Sequence, residues 1–141
     1  MTQRGGCFVT FGGLTWSALQ HHTSGNYAFW AGGSQGGESE ELLGRWRRSR
    51  GVGDEIVIAT KVGARPLAPG TSFTDNAEGL SARVIRESAE RSLDRLGLSK
   101  LDVLYAHIED PAVPLGETVE GFAALVAEGT VGLRARLDAA R

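Results

Sequence analysis

The first half of the chain contains one segment with the charge and apolar pattern of a helix. Glu38–Arg50 has acidic residues in its first turn and arginines in its last, an arrangement that complements the helix dipole. Gly51 follows as a stop signal. Leu42, Leu43 and Trp46 recur at helical spacing and are predicted to form the apolar stripe that faces the core.

Two further helices are predicted in the second half of the chain. One runs from a Ser81 cap to Leu96 and ends at Gly97, and the other opens at Pro114 and closes at Gly129. Their predicted apolar faces are Val84, Ile85, Ala89, Leu93 and Leu96 in the first, and Leu115, Val119, Phe122, Ala123 and Val126 in the second.

Short apolar runs rich in β-branched residues lie between these helices. Residues 55–60 and 101–106 have apolar side chains on both faces, which is typical of strands inside a parallel sheet, and residues 131–133 resemble the start of another strand. The alternation of helix and strand predicts a parallel α/β fold with right-handed crossovers. Periodicity alone does not separate a barrel from an open, doubly wound sheet.

Two connections are unusual in composition. Residues 31–37 (AGGSQGG) are predicted to form a flexible loop. Residues 62–79 contain two prolines and exceed the usual loop length, which is compatible with a lid-like role. A phosphate cradle in the glycine-rich loop is rejected, because no Lys-Ser or Lys-Thr pair follows it and the next helix begins with acidic residues.

Composition narrows the class of protein. The 141 residues fit one domain, with 41% hydrophobic and 23% charged residues. A net charge of −2 predicts no nucleic-acid or membrane-surface partner, and no apolar run reaches the roughly 20 residues that span a bilayer. Cys7 is the only cysteine, and no signal peptide is recognised, so a cytoplasmic location is expected. His21 and His22 lack a third ligand, so no metal site is predicted.

Lys61 and His107 are the ionisable residues that directly follow the two predicted buried strands. In parallel α/β folds, reactive groups collect at the carboxyl ends of strands. A solvated strand terminus is the alternative interpretation of Lys61, and a hydrogen-bonded histidine at the edge of the core is that of His107. Both residues are therefore candidates for a functional site.

Several short motifs occur in one order between about His22 and Val131. They are NY at 26–27, GESEELLG at 37–44, ATKVG at 59–63, RSLDRLG at 91–97, LDVLYAH at 101–107, and PLGET at 114–118 with EG at 128–129. Each motif is weak alone, but together they resemble the aldo-keto reductase family. This resemblance implies an α/β fold that is part of a (β/α)8 TIM barrel, with about half of the barrel present.

The resemblance also implies a reaction and its residues. The family reduces aldehydes and ketones with NADPH, or runs the reverse oxidation. By resemblance Tyr27 donates the proton, Lys61 lowers the pKa of Tyr27, and His107 orients the carbonyl. Phe29 and Trp30 would line the apolar wall of the substrate pocket. An ordinary aromatic residue packed on the barrel rim is the alternative interpretation of Tyr27.

The sequence departs from the family in two ways. His22 stands where an Asp that pairs with the Lys is usual, and the family's barrel needs roughly 250 residues. The loops that bind the cofactor phosphates have no counterpart, so the cofactor-binding residues stay unassigned. We divide the chain into a poorly matched segment 1–21, a partial barrel 22–133 and a foreign-looking tail 134–141. A truncated or frame-shifted reading frame would produce this pattern.

Two functions follow from the sequence. In the first, the chain is an NADPH-dependent oxidoreductase acting on a small carbonyl substrate, alone or after pairing with another half. A homodimer would cover the open sheet edges of a half-barrel. In the second, the chain is a truncated, catalytically inactive barrel fragment or an interaction module that uses the exposed edge.

Overall fold

The computed structural model describes residues 9–11, 14–16, 19–24, 36–53, 55–68 and 76–137. The elements in chain order are β1 (Val9–Phe11), β2 (Leu14–Trp16), β3 (Leu19–His22), α1 (Glu38–Arg50), β4 (Ile56–Val62), α2 (Ala82–Leu96), β5 (Leu101–Ala106), α3 (Leu115–Ala127) and β6 (Val131–Leu137). The predicted glycine-rich loop at 31–37 lies mostly outside the described residues, as do residues 69–75 of the long connection.

The strands form two sheets. β1 and β2 make an antiparallel pair, whereas β3, β4, β5 and β6 lie side by side in that order and are all parallel. Because neighbouring strands of the larger sheet are also consecutive in the chain, each helix is the crossover between two adjacent strands. The predicted parallel α/β fold is confirmed.

The sequence-based element order was incomplete at its start. It began with the helix at Glu38, but the hairpin β1–β2 and the strand β3 precede that helix. The hairpin strands have three residues each, too few to show a period. β3 is Leu-Gln-His-His, which has no β-branched residue, and its strand conformation depends on parallel pairing with β4. β6 also continues past residue 133, to Leu137.

The bounds of all three helices agree with their predicted start and stop signals. The Ser81 hydroxyl accepts a hydrogen bond from the backbone N–H of Val84 at 3.4 Å, so it caps α2 as predicted. Gly97 ends the same helix in the left-handed conformation with φ 66°, and Gly51 does the same for α1 with φ 62°.

The predicted apolar stripe of α1 is wrong for Leu42 and Trp46, whereas Leu43 is partly buried and packs against the core. Leu42 is 62% exposed and Trp46 is 37% exposed, and the buried residues of the helix are Glu40, Gly44 and Arg47. A Cβ on Gly44 would lie 2.4 Å from the carbonyl oxygen of Arg95, so only glycine lets α1 approach α2 this closely. Helix-to-helix contact and a buried carboxylate, together with the partial burial of Leu43, therefore decide which face of α1 turns inward.

The predicted face of α3 is also partly wrong. Leu115 is 63% exposed, Val119 is 54% exposed and Ala123 is exposed, whereas Phe122 and Leu125 are buried as core residues. The buried stripe also contains Thr118 and Gly121. Gly121 lies against Ala82, where an added Cβ would meet the Cα of Ala82 at 3.0 Å. The small residues of α3 face α2, and two of its large apolar residues are displaced to the surface.

The hydrophobic core lies between the parallel sheet and the helices. Its buried members are Ile56, Ile58, Val62, Leu80, Ile85, Ala89, Leu96, Leu101, Leu104, Ala106, Phe122, Leu125 and Val131. The predicted α2 face is confirmed in its central residues, since Ile85 and Ala89 are 0% exposed. This core holds β4 and β5 in fixed register and so fixes the positions of the residues at their carboxyl ends.

Candidate active site

Three parallel strands end next to one another at one edge of the sheet. In register, Lys61 of β4 lies opposite Tyr105 of β5. The backbone N–H of His107 donates to the carbonyl oxygen of Val62 at 2.9 Å, and that of Thr23 donates to the carbonyl oxygen of Ala59 at 2.8 Å. The carboxyl ends of β3, β4 and β5 are thereby joined, and they bring Lys61 and His107 together.

Lys61 is on the face of the sheet opposite the helices. Strand residues alternate between faces, and Ile58, Thr60 and Val62 turn toward the helical layer, where Ile58 and Val62 join the core. Lys61 therefore points to the other face, the interior side of a barrel, and its side chain is partly buried there. Tyr105 occupies the adjacent position of β5 on that same face.

The side chain of His107 lies close to Ser24 and Lys61. Its Nδ1 lies 3.2 Å from Oγ of Ser24, a residue that is completely buried. Burial lowers the pKa of His107 below the ordinary 6.5, and the positive charge of Lys61 lowers that pKa further. The imidazole is therefore neutral at neutral pH, with one nitrogen that donates a hydrogen bond and one that accepts. A neutral donor beside an ammonium group is suited to polarise a carbonyl.

A buried carboxylate on the helical side stabilises the strand that bears Lys61. The hydroxyl of Thr60 donates to Oε1 of Glu40 at 2.5 Å, and Nη1 of Arg95 donates to Oε2 of Glu40 at 3.1 Å. Glu40 is 0% exposed. Since Glu40 belongs to α1 and Arg95 to α2, one carboxylate links two helices to β4 directly behind Lys61.

Acidic residues fix both ends of the long connection after β4. Glu78 accepts a hydrogen bond from Nη2 of Arg91 at 2.6 Å and one from Nε of Arg65 at 3.1 Å. The backbone N–H of Leu80 donates to Oδ2 of Asp110 at 2.8 Å. The described parts of this connection are therefore anchored to the barrel, and the lid-like role predicted for it stays a prediction.

The predicted site residues have different outcomes. The structure brings Lys61 and His107 together, whereas Tyr27, Phe29 and Trp30 lie outside the described residues. The backbone of His22, in the place of the family's Asp, ends β3 in register with Ala59.

Sequence reasoning missed Ser24 and Tyr105 as neighbours of the site. The available signal for Ser24 was a hydroxyl residue two positions after His22, but β3 itself was not predicted. Tyr105 lies inside a strand motif that we interpreted as apolar. Ser24 and Tyr105 can be recognised as neighbours of the site only from the register of β3, β4 and β5.

Within the described residues, no group of three His, Cys, Asp or Glu residues is placed to hold a metal ion. Nor does that part of the chain contain a helix long and apolar enough to cross a membrane.

The described residues are suited to a carbonyl compound rather than to the phosphates of a nicotinamide cofactor. Lys61 and His107 can bind a carbonyl oxygen. The arginines near the carboxyl end of β4 have acidic partners: Glu78 binds Arg65 and Arg91, and Glu40 binds Arg95. No cofactor-phosphate site is therefore assigned among the described residues.

Comparison with known protein families shows to which family the chain belongs. The sequence profile of the aldo/keto reductase family matches residues 21–134, which is most of the chain. This chain belongs to the aldo/keto reductase family. The match includes both Lys61 and His107, and it extends from the last two residues of β3 through α3 into β6.

Curated relatives agree with this assignment. The chain is 36% identical over 103 residues to the aldo-keto reductase str7 of Strobilurus tenacellus, covering 73% of this chain and 28% of that protein. It is 35% identical over 113 residues to the norsolorinic acid reductase stcV of Emericella nidulans, covering 79% and 29% respectively. The chain thus spans less than a third of these two relatives.

Solved structures show how much of the family fold is present. An aldo-keto reductase from Bacillus halodurans in its holo form matches with a TM-score of 0.67 and 25% identity, over 86% of this chain and 37% of that one. An aldo-keto reductase from Klebsiella pneumoniae in complex with NADPH matches with a TM-score of 0.64 and 28% identity, over 84% and 34%. The predicted partial barrel is confirmed. The division at residues 21 and 133 stays a prediction.

Proposed function

We propose that the chain is an aldo-keto reductase-like oxidoreductase that reduces an aldehyde or ketone with NADPH. The observation that carries this proposal is the pairing of Lys61 with a partly buried, neutral His107 at the carboxyl end of two adjacent parallel strands. In parallel α/β folds this edge of the sheet is where catalytic groups lie.

The three proposed catalytic residues have separate roles in the reduction. The hydroxyl of Tyr27 donates a proton to the carbonyl oxygen as hydride, which NADPH supplies when bound, reaches the carbonyl carbon. A free phenol has a pKa of about 10, and the ammonium of Lys61 lowers it by stabilising the phenolate. His107 donates a hydrogen bond to the carbonyl oxygen and so orients it. Phe29 and Trp30 form the apolar wall around the substrate.

His22 changes the charge balance of the proposed site. The family's Asp would offset the charge of Lys61, and a neutral His offers a hydrogen bond instead. Without that carboxylate, the Lys61 charge acts on its neighbours with less compensation. The lowered pKa of His107 is consistent with this inference, because the Lys61 charge contributes to the shift.

The two tyrosines of the chain provide a matched test of the proton donor. Tyr27→Phe should abolish carbonyl reduction while NADPH affinity stays near normal, because only the acidic hydroxyl is lost. Tyr105→Phe is the control, since Tyr105 lies beside Lys61 in register and is the rival phenol. Steady-state rates with a panel of aldehydes measure both. A retained rate in Tyr27→Phe, or loss of activity only in Tyr105→Phe, contradicts the assignment.

The open edges of the sheet support a homodimer as the active form. Within the described residues, β3 and β6 each have one neighbouring strand in the parallel sheet. Two copies that joined β6 of one to β3 of the other would contain eight strands, the number in a closed (β/α)8 barrel. Sedimentation analysis should then give about twice the 15.0 kDa mass of the chain. A monomer that stays folded at high concentration contradicts this proposal.

A catalytically inactive fragment, or a module that binds a partner through these edges, is the second candidate function. It is favoured by the arginine pairing described above, which leaves the cofactor phosphates without an assigned binding group. Cofactor binding distinguishes the two candidates.

A further inference from the structure

We propose that Ser24 is a positioning residue for His107: its hydroxyl donates to Nδ1 and keeps the proton of the imidazole on Nε2. The two atoms lie 3.2 Å apart and come from strand ends that are 83 positions apart in the chain. The role assigned to His107 rests on the proposed function, whereas the tautomer itself is a property of the chain that can be measured without activity.

The burial of Ser24 makes this contact a fixed feature of the fold. Ser24 is 0% exposed, and Thr23 beside it is 2% exposed. The Thr23 backbone is tied to Ala59 of β4, and its hydroxyl lies 2.8 Å from that of Ser39 in α1. The Ser24 hydroxyl is therefore presented to His107 by a segment anchored to both the sheet and a helix.

The charge state of the His107 imidazole determines which direction of the hydrogen bond with Ser24 would let Nε2 donate to a carbonyl oxygen. Lys61 and burial both favour the neutral imidazole, which has one protonated nitrogen and one lone pair. If Nδ1 carried the proton, Nε2 would present a lone pair to the lone pairs of a carbonyl oxygen, and the two would repel. If Ser24 donates to Nδ1, Nε2 carries the proton and can donate to that oxygen.

Nitrogen-15 NMR of the uniformly labelled chain tests the proposal directly. Long-range correlations from the ring protons identify which nitrogen of His107 is protonated, and His107→Gln assigns the signals among the three histidines. At pH 8 the proposal predicts a single tautomer with protonated Nε2 in the wild-type chain. A wild-type His107 protonated on Nδ1, or an equal mixture of tautomers, would overturn the proposal even if no variant folded.

Two variants separate positioning from general packing. Ser24→Ala removes the donor with little change in volume and should convert the single pattern to a mixture of both tautomers. Thr23→Val removes the neighbouring buried hydroxyl, which bonds to Ser39 rather than to His107, and should leave the pattern unchanged. An unchanged tautomer in a folded Ser24→Ala chain, or the same change in Thr23→Val, contradicts a specific role for Ser24.

The result is independent of the proposed reaction. An Nε2-protonated His107 in a chain that neither binds NADPH nor reduces carbonyls would leave the inference on Ser24 intact and remove the proposed function. An active chain with protonated Nδ1 would overturn the inference on Ser24 and the role of His107 as a hydrogen-bond donor, but it would leave the proposed carbonyl reduction itself intact.

Discussion

The most informative residue-scale feature is the electrostatic coupling between Lys61 and His107. Both follow apolar runs in the sequence, so their candidacy could be predicted from position alone. The lowered pKa of His107 could not, because it depends on the depth of burial and on the nearness of Lys61 in the folded sheet. The two candidate residues can be recognised in the sequence. Their interaction can be recognised only from the register of β4 and β5.

Replacing Lys61 should change the titration of His107 in a defined direction. In Lys61→Met the pKa of His107 rises, because a positive neighbour that disfavours the imidazolium is removed. It stays below 6.5, since burial is the larger cause of the shift and remains. The measurement is a pH titration of the His107 ring proton by NMR.

The chain offers a matched control for this titration. Lys100 is its other lysine and lies just before β5, at the opposite end of that strand from His107. Lys100→Met should leave the pKa of His107 unchanged. If both variants shifted the pKa equally, or if Lys61→Met shifted nothing, the coupling would not be local and the account of the site would be wrong.

At the scale of elements, the caps and the inward face of α2 were predictable, whereas the inward faces of α1 and α3 were predictable only in part. Ser81, Gly97 and Gly51 act through local backbone geometry, which sequence encodes directly. The faces of α1 and α3 depend on neighbours. Gly44 meets the backbone at Arg95, and Glu40 is paired by Arg95 and Thr60, so a carboxylate turns inward while Leu42 stays outside. The pattern of hydrophobic residues along a helix does not indicate which groups of other elements the helix will contact.

Gly44→Ala should destabilise the chain because the added methyl meets a backbone oxygen rather than a flexible side chain. The nearest atom would be the Arg95 carbonyl oxygen at 2.4 Å, so α1 must move away from α2. We expect the free energy of unfolding to fall by about 1–3 kcal/mol, as is typical of overpacking. Urea denaturation followed by circular dichroism provides the measurement.

Gly116→Ala is the corresponding control in α3. An added Cβ there meets nothing within 4 Å, so the substitution should be neutral or stabilise the chain by up to about 1 kcal/mol through helix propensity. Equal effects of the two substitutions would mean that the close approach of α1 and α2 at Gly44 does not contribute to stability.

At the scale of the whole molecule, the chain is a partial barrel. The motif order was sufficient to predict the family and the parallel α/β fold, since those motifs fall on consecutive strand–helix units. The hairpin and β3 were not predictable, because short strands acquire their conformation from pairing partners. How the open edges are covered likewise depends on pairing partners, and we propose that a second copy covers them.

The most direct test of the central claim is a titration of the purified, folded chain with NADPH. The fluorescence of its three tryptophans reports binding, and circular dichroism verifies the fold in the same sample. We expect saturable quenching at micromolar NADPH, with a weaker response to NADPH in a chain denatured by urea. A folded chain whose fluorescence changes only linearly with added NADPH would contradict the proposed NADPH-dependent reduction, and would show that the family's residues persist here without the family's reaction.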